Sequence, residues 1–321
     1  MRRHWLLPAL ALAAAASLFI SLLFGSLPIP AVQVLDGVLF PAPGVVGDVI
    51  WKLRLPRVLA AFACGGLLAT AGVLLQVLLR NPLADPYVLG ISGGAALGAL
   101  IAVLAGAGLA WVNLGALAGA LGAIALVLAL SLRAGDWNLH RLLLTGVVLS
   151  AGFTALISLL LTFAPQAQLQ GMLFWLMGDL SHAGASGYAW VVLAGVLAAF
   201  ILYAGSLDAL ALGPLKARAL GVALLPVQTA VYFGAALATV AAVLLGGTVG
   251  FVGMMVPHAL RLTGVHEHRW LLPAAALVGG SFVAVADTFA RTVWAPQQLP
   301  VGVFTALIGV PVLLLLLSRR P

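Results

Sequence analysis

The chain has 321 residues and carries 15 Lys+Arg and 8 Asp+Glu, 23 formal charges in all, or 7% of the sequence, against 64% hydrophobic residues and a mean hydropathy of +1.20. An ordinary soluble domain is about 25% charged, so this supply is too sparse to cover a water-facing surface and excludes both a soluble enzyme and a disordered chain. The net charge of +7 does not make a nucleic-acid surface either, because the basic residues stand in ones, twos and threes between apolar runs; the lipid bilayer is the expected solvent.

Residues 5–24 form the first apolar run, behind Arg2 and Arg3. Its basic start and alanine-rich middle resemble a signal peptide, but the apolar character of everything downstream favours an uncleaved first span. Residues 25–56, with Pro28, Pro30, Pro41 and Pro43, read as a loop. Residues 58–79 are an uncharged second span. Residues 86–132 carry no charge and are too long for one helix, so the Gly106–Gly108 region and Asn113 divide them into a third and a fourth. The fifth covers 142–163. Pro165 and the polar stretch to Gln170 end it, and 172–177 is too short to cross, which predicts a surface or re-entrant helix. The sixth to tenth spans follow at 188–205, 226–245, a short 251–260, 270–290 and 301–317. The fold class is all-α, a single polytopic membrane domain over 1–321 with about ten transmembrane helices.

With the N-terminus inside, eleven basic residues fall on the cytoplasmic side: Arg2, Arg3, Arg80, Arg133, Arg141, Lys216, Arg218, Arg261, Arg269, Arg319 and Arg320. Only Lys52, Arg54, Arg57 and Arg291 fall outside. Positive charge accumulates in cytoplasmic loops, so this split predicts both termini inside and an even span count. Gly94-x-x-x-Gly98 and Gly115-x-x-x-Gly119 are small-xxx-small pairs suited to close helix packing within the chain. The single cysteine, Cys64, cannot form an internal disulfide or a cysteine metal site and reads as a small buried side chain.

Catalysis finds little support. Gly90-Ile91-Ser92-Gly93 and Gly184-Ala185-Ser186-Gly187 match a short serine-protease pattern, but His258 is the only histidine near membrane depth and serine chemistry needs a base within reach. His266-Glu267-His268 lacks the spacing of a zinc motif and reads as a polar cytoplasmic loop. No phosphate-binding Gly-x-x-x-x-Gly-Lys-Ser/Thr exists, since Lys52 and Lys216 are the only lysines and neither ends such a run; any ATP dependence needs a partner subunit. An ion-coupled secondary transporter is the alternative, but it should place several ionisable groups at mid-membrane. Asp287 is the sole candidate inside a span, with Arg291 four residues on as an intrahelical partner. The loop Arg80-Asn81-Pro82-Leu83-Ala84-Asp85-Pro86, running on to Gly94, is either a structural turn or a gate, since its prolines forbid a continuous helix.

Across essentially its whole length the sequence resembles the permease subunits of ABC importers for iron–siderophores, haem and cobalamin. The residues that carry the resemblance are Leu53-Arg54-Leu55-Pro56-Arg57, the 80–94 stretch, Leu210-Ala211-Leu212-Gly213 with Ala219-Leu220-Gly221, Gly250-Phe251-Val252-Gly253 running to Arg261, Ala286-Asp287-Thr288-Phe289-Ala290-Arg291, and Leu299-Pro300-Val301-Gly302. The resemblance implies a type II ABC importer permease fold in a bacterial cytoplasmic (inner) membrane. It also implies an assembly of two permeases, a homodimer or a pair of related chains, with two ATP-binding subunits and a periplasmic substrate-binding protein. ATP and Mg would sit on the partner ATPase and no cofactor on this chain.

Residue by residue, the resemblance places Arg54, Arg57 and Arg291 at the docking site for the binding protein. It places the ATPase-coupling loop at about 208–222, with Leu210, Leu212, Gly213, Lys216, Ala219, Leu220 and Gly221; Pro214-Leu215-Lys216 stands where relatives often carry acidic residues. Asn81, with Leu139 and His140, falls at the inner gate, where His140 departs from the small hydroxyl residues usual in relatives and either touches substrate or faces the cytosol. Trp175, Gly178, Asp179 and Ser181 fall at the outer mouth, and the path between gate and mouth follows the second, third and fifth spans.

Overall fold

The computed structural model describes residues 5–40, 44–131, 139–184 and 186–318, and every regular element among them is helical. Helix α1 (Leu6–Leu23) is followed by α2 (Ala31–Leu39) and the single turn α3 (Val45–Asp48), which runs through a π-helical turn, Val49–Arg54, directly into α4 (Leu55–Leu79). The segment 25–56 is therefore largely helical rather than a plain loop. Proline was the misleading residue: it stops a helix from within but opens one from the N-terminal side, and Pro30 stands immediately before α2 while Pro56 occupies the first turn of α4.

A short 3-10 turn, Pro86–Leu89, leads into α5 (Ile91–Leu104), and α6 (Leu109–Ser131) and α7 (Leu139–Phe163) follow. The short helix expected after the fifth span is α8 (Gln166–Met177). Helices α9 (Gly187–Leu202) and α10 (Ala204–Ala211) meet at a bend of 69° and lead through α11 (Pro214–Ala219) to α12 (Leu224–Gly246). Helices α13 (Val252–Leu262), α14 (His268–Thr292) and α15 (Val301–Ser318) complete the described chain. Among the described residues six helical units are long and apolar enough to cross a bilayer, seven if the bent pair counts as one; α5 and Val301–Leu316 are shorter apolar helices that bring the total towards the ten spans expected.

Helix α4 is the axis of the bundle. From Val58 to Leu78 nearly every side chain is buried, while α1 and α7 are largely exposed. Small residues set its spacing. A methyl group built on Gly65 would lie 2.1 Å from the Gly279 carbonyl oxygen of α14, and one on Gly72 would lie 1.8 Å from the Gly253 carbonyl oxygen of α13. The backbones of three helices thus touch with no side chain between them.

The two small-xxx-small motifs pair with each other across α5 and α6. A methyl on Gly98 would meet the Gly115 carbonyl oxygen at 2.0 Å, and one on Gly119 would meet the Gly94 carbonyl oxygen at 2.0 Å. Van der Waals contact of this kind is the main attraction open to helices whose surroundings are already apolar.

Gly98→Ala should therefore lower the thermal midpoint of the detergent-solubilised protein, with a loss of about 1–3 kcal/mol typical of overpacking. Gly122→Ala on the same α6, where an added methyl meets nothing within 4 Å, should leave the midpoint unchanged or raise it; equal behaviour of the two variants would refute the seam.

Candidate transport path and coupling surfaces

The four basic residues expected outside, Lys52, Arg54, Arg57 and Arg291, line a single cleft of about 250 Å³. Their environments differ. Lys52 is exposed and pairs with Asp48 at 2.7 Å, one turn before it. Arg54 is only 4% exposed, because its guanidinium donates to the carbonyls of Leu22 (3.1 Å), Leu23 (2.9 Å) and Leu27 (2.6 Å) at the end of α1. Arg291 is equally buried and donates to the Ser21 carbonyl and to the Thr288 hydroxyl (3.3 Å). The fully buried Asp287 joins these helices. Its carboxylate takes Arg57 through Nε (3.1 Å to each oxygen) and Nη2 (2.8 Å), with Arg291 Nε at 3.4 Å.

The intrahelical pair expected between Asp287 and Arg291 is present, but the shorter partner is Arg57, 230 residues away in sequence. One carboxylate therefore faces two guanidiniums, and the cleft keeps a positive excess.

Beside this cleft, and sharing Ser181, His182, Ala183, Gly184 and Gln298 with it, lies a larger cavity of about 1160 Å³. Of the residues expected at the outer mouth, Trp175, Asp179 and Ser181 line it, with Phe174, Tyr188 and Gln170. Gly178, at φ +83°, turns the chain out of α8 where its carbonyl accepts from the Val301 N–H (2.9 Å). Asp179 stiffens the loop by accepting from the Ser181 N–H (2.7 Å) and hydroxyl (2.6 Å), and its own N–H donates to the Gly246 carbonyl (2.9 Å).

At the opposite end of α4, Asn81 is exposed and its side-chain oxygen accepts from the Leu83 N–H (3.0 Å), closing a tight turn. The following 3-10 turn packs backbone-close on α7: a methyl on Gly146 would lie 2.6 Å from the Val88 carbonyl oxygen. Residues Leu139 and His140 begin α7, but their side chains lie outside the described residues. Tyr87 closes the turn from the other side, its hydroxyl donating to the Val249 carbonyl (3.1 Å) and accepting from the Val249 N–H (2.9 Å).

The segment 204–221 forms two short helices at this same end. Leu210 and Ala217 are buried and fix its base, Gly213 turns at φ +103° with the Arg80 guanidinium alongside, and Leu212, Leu215 and Leu220 project outward at 57%, 83% and 65% exposure. Lys216, Ala219 and Gly221 are exposed beside them.

A family model described as the FecCD transport family matches residues 12–319. The chain belongs to the FecCD transport family. Its relatives include the vitamin B12 import system permease protein BtuC of Shigella sonnei strain Ss046, 38% identical over 275 residues that cover 84% of this chain and 83% of the relative. BtuC of Serratia proteamaculans strain 568 is likewise 38% identical over 275 residues, 84% of this chain and 82% of its own. Among solved structures, an inward-facing conformation of a metal-chelate type ABC transporter superposes with a TM-score of 0.85 at 30% identity over 99% of this chain and all of its own. The PsaBC complex of Streptococcus pneumoniae, at 16% identity over 86% of this chain and 95% of its own, shares the fold with a TM-score of 0.58. The chain is thus a permease of this family, a transport subunit rather than an enzyme.

Three polar contacts of this FecCD permease have no counterpart in the sequence reading. Gln76, buried in α4, donates to the Met254 carbonyl (3.0 Å) and accepts from Arg261 of α13. Tyr87 grips Val249, and Asp208 of α10 holds His268 of α14. Only the first left a trace, as the one amide inside an otherwise apolar span, where a polar group demands a partner. On α7, Ser150, Thr154, Ser158 and Thr162 form a stripe at four-residue intervals, each hydroxyl donating to the carbonyl one turn back at 2.8–3.0 Å. The last three are exposed in the single chain.

Asp287→Ala strands the buried Arg291 guanidinium and leaves the half-buried Arg57 with Gln298, and should cost about 3 kcal/mol, the low end for breaking a buried pair from one side. Asp287→Ala combined with Arg57→Met should recover part of that loss in the same thermal-unfolding assay; a double variant no more stable than the single one would show that the pair is not what orders this end.

Proposed function

We propose that two copies of this chain form the membrane-spanning part of an ATP-driven importer, each copy holding its N- and C-termini in the cytoplasm of a bacterial inner membrane. The cargo is a metal chelate, an iron–siderophore, cobalamin or haem, and it moves inward by alternating access between the Trp175–Asp179–Ser181 mouth and a gate formed by the 80–94 turn and the start of α7. The observation that carries this reading is the three leucines Leu212, Leu215 and Leu220 standing exposed on short helices whose base is buried. An apolar knob on a loop that faces water needs a cleft to enter, and an ATPase subunit holding ATP and Mg supplies one.

The cobalamin permeases among the relatives and the metal-chelate transporter among the neighbours support the cargo class. The wide mouth cavity and the hydroxyl stripe, left uncovered in one chain, support a passage completed by the second copy. At the opposite end, the cleft that gathers Lys52, Arg54, Arg57 and Arg291 suits acidic residues of a periplasmic binding protein. The alternative, ion-coupled transport, loses ground because Asp287, the one carboxylate among the described span residues expected to serve it, is already engaged by two guanidiniums.

Reconstituted with its ATPase in proteoliposomes, the complex should take up chelate only with hydrolysable ATP; uptake driven by an ion gradient alone would overturn the importer reading. Leu215→Asp changes a side chain that is 83% exposed, so the permease should fold normally yet fail to co-purify with the ATPase. Lys52→Glu should weaken binding-protein affinity about tenfold at low salt and less in high salt, as for a rim charge. An affinity unchanged at low salt would remove the cleft from the docking surface.

A further inference from the structure

The loop His266-Glu267-His268 contributes more than a polar connection. His268 is the first residue of α14, is 2% exposed, and presents two donors to one oxygen of Asp208: its backbone N–H at 2.9 Å and its ring Nδ1 at 2.6 Å. Asp208 thereby caps the N-terminus of α14 from another helix, where an anion is favoured by the unpaired N–H groups and the helix dipole. Burial alone would raise the Asp208 carboxyl, but the ring and backbone hydrogen bonds and the charge of His268 outweigh it and hold the carboxyl below its ordinary value. The group is therefore ionised at neutral pH and accepts from the His268 backbone N–H and ring.

The position of this clasp gives it a purpose. Asp208 lies in α10, past the 69° bend and immediately before the exposed leucines. The helix it caps has 25 residues, about 37 Å at 1.5 Å per residue. Midway, Gly279 touches the backbone of Gly65 in α4. Near its far end Asp287 binds Arg57, the Ala284 carbonyl accepts from the Ser21 hydroxyl of α1 (3.2 Å), and Arg291 lines the cationic cleft. One helix is thus tied at one end to the segment that carries the leucines and at the other to the cleft that gathers the cations, with a carboxylate at each end.

We infer that the Asp208–His268 clasp is the joint through which α14 carries motion between the ATPase-facing segment and the binding-protein-facing cleft, making His268 a positioning residue for transport. This rests on the importer reading and adds to it a route by which the two docking surfaces sense each other.

The test uses the full complex of permease, ATPase and binding protein in proteoliposomes and reads the ratio of binding-protein-stimulated to basal ATP hydrolysis. His268→Ala should leave assembly and basal hydrolysis at the wild-type level while lowering the stimulation ratio about fivefold or more, the lower end of usual coupling factors. His268→Asn places an amide N–H where Nδ1 stood and should restore most of the stimulation. A His268→Ala complex stimulated as well as wild type overturns the inference, and so does a His268→Asn complex no better than His268→Ala. Should His268→Ala fail to assemble, Asp208→Ala, which removes the acceptor from a side chain that is 40% exposed, takes its place, and a wild-type stimulation ratio there overturns the inference equally. A wild-type complex indifferent to binding protein would refute the importer reading itself, and this inference with it.

Discussion

Helices surrounded by lipid gain nothing by burying leucine against leucine, because the tails they displace are equally apolar. What remains is close contact, and close contact requires backbones without side chains between them. The architecture depends on that constraint at α4. Gly65 and Gly72 bring α14 and α13 to within touching distance of its backbone, and Gly94, Gly98, Gly115 and Gly119 do the same for α5 and α6. The abundance of glycine, 37 residues, is thus a packing device more than a source of flexibility. A membrane helix interior tolerates it because no water competes for the exposed peptide groups.

Against this apolar background the few charges act as fasteners at defined heights. Asp287 gathers α4, α14 and, through Arg291, α1; Gln76 and Arg261 bind α4 to α13; Asp208 fixes α10 to α14. Each joins elements far apart in sequence, and each involves α4 or α14. Low dielectric makes such contacts strong when complete and costly when one partner is missing, so a chain with 23 charges can still specify one arrangement of its helices. Two of these fasteners lie next to the surfaces proposed above for partners, Asp287 at the cationic cleft and Asp208 at the exposed leucines.

The spans were legible because hydropathy and length are read directly from sequence: the expected 58–79 and 270–290 became Leu55–Leu79 and His268–Thr292. The short helix after the fifth span was legible only in its second half, since α8 begins at Gln166 within the polar stretch read as a break. Residues 25–56 were not legible, because proline reports where a helix cannot pass but not where one begins. The charge split grouped Lys52, Arg54, Arg57 and Arg291, and the structure gathers all four on one cleft. It could not tell that Arg54 and Arg291 turn their guanidiniums inward to carbonyls of the α1 end, since sequence assigns a residue to a side of the membrane but not a direction to its side chain. The preference of Asp287 for Arg57 over its helical neighbour and the capping of α14 by Asp208 depend on tertiary placement, and no local pattern announces them.

The hydroxyl ladder on α7 has a chemical consequence of its own. Every one of its protons is directed at a carbonyl of the same helix, so the outward aspect of Thr154, Ser158 and Thr162 offers lone pairs and no donors. A surface of that kind is wetted by water, which can donate to it, but gives no foothold to carboxylate, phosphate or catecholate oxygens. That face runs for about 12 Å of helix and is polar without being adhesive to such oxygens.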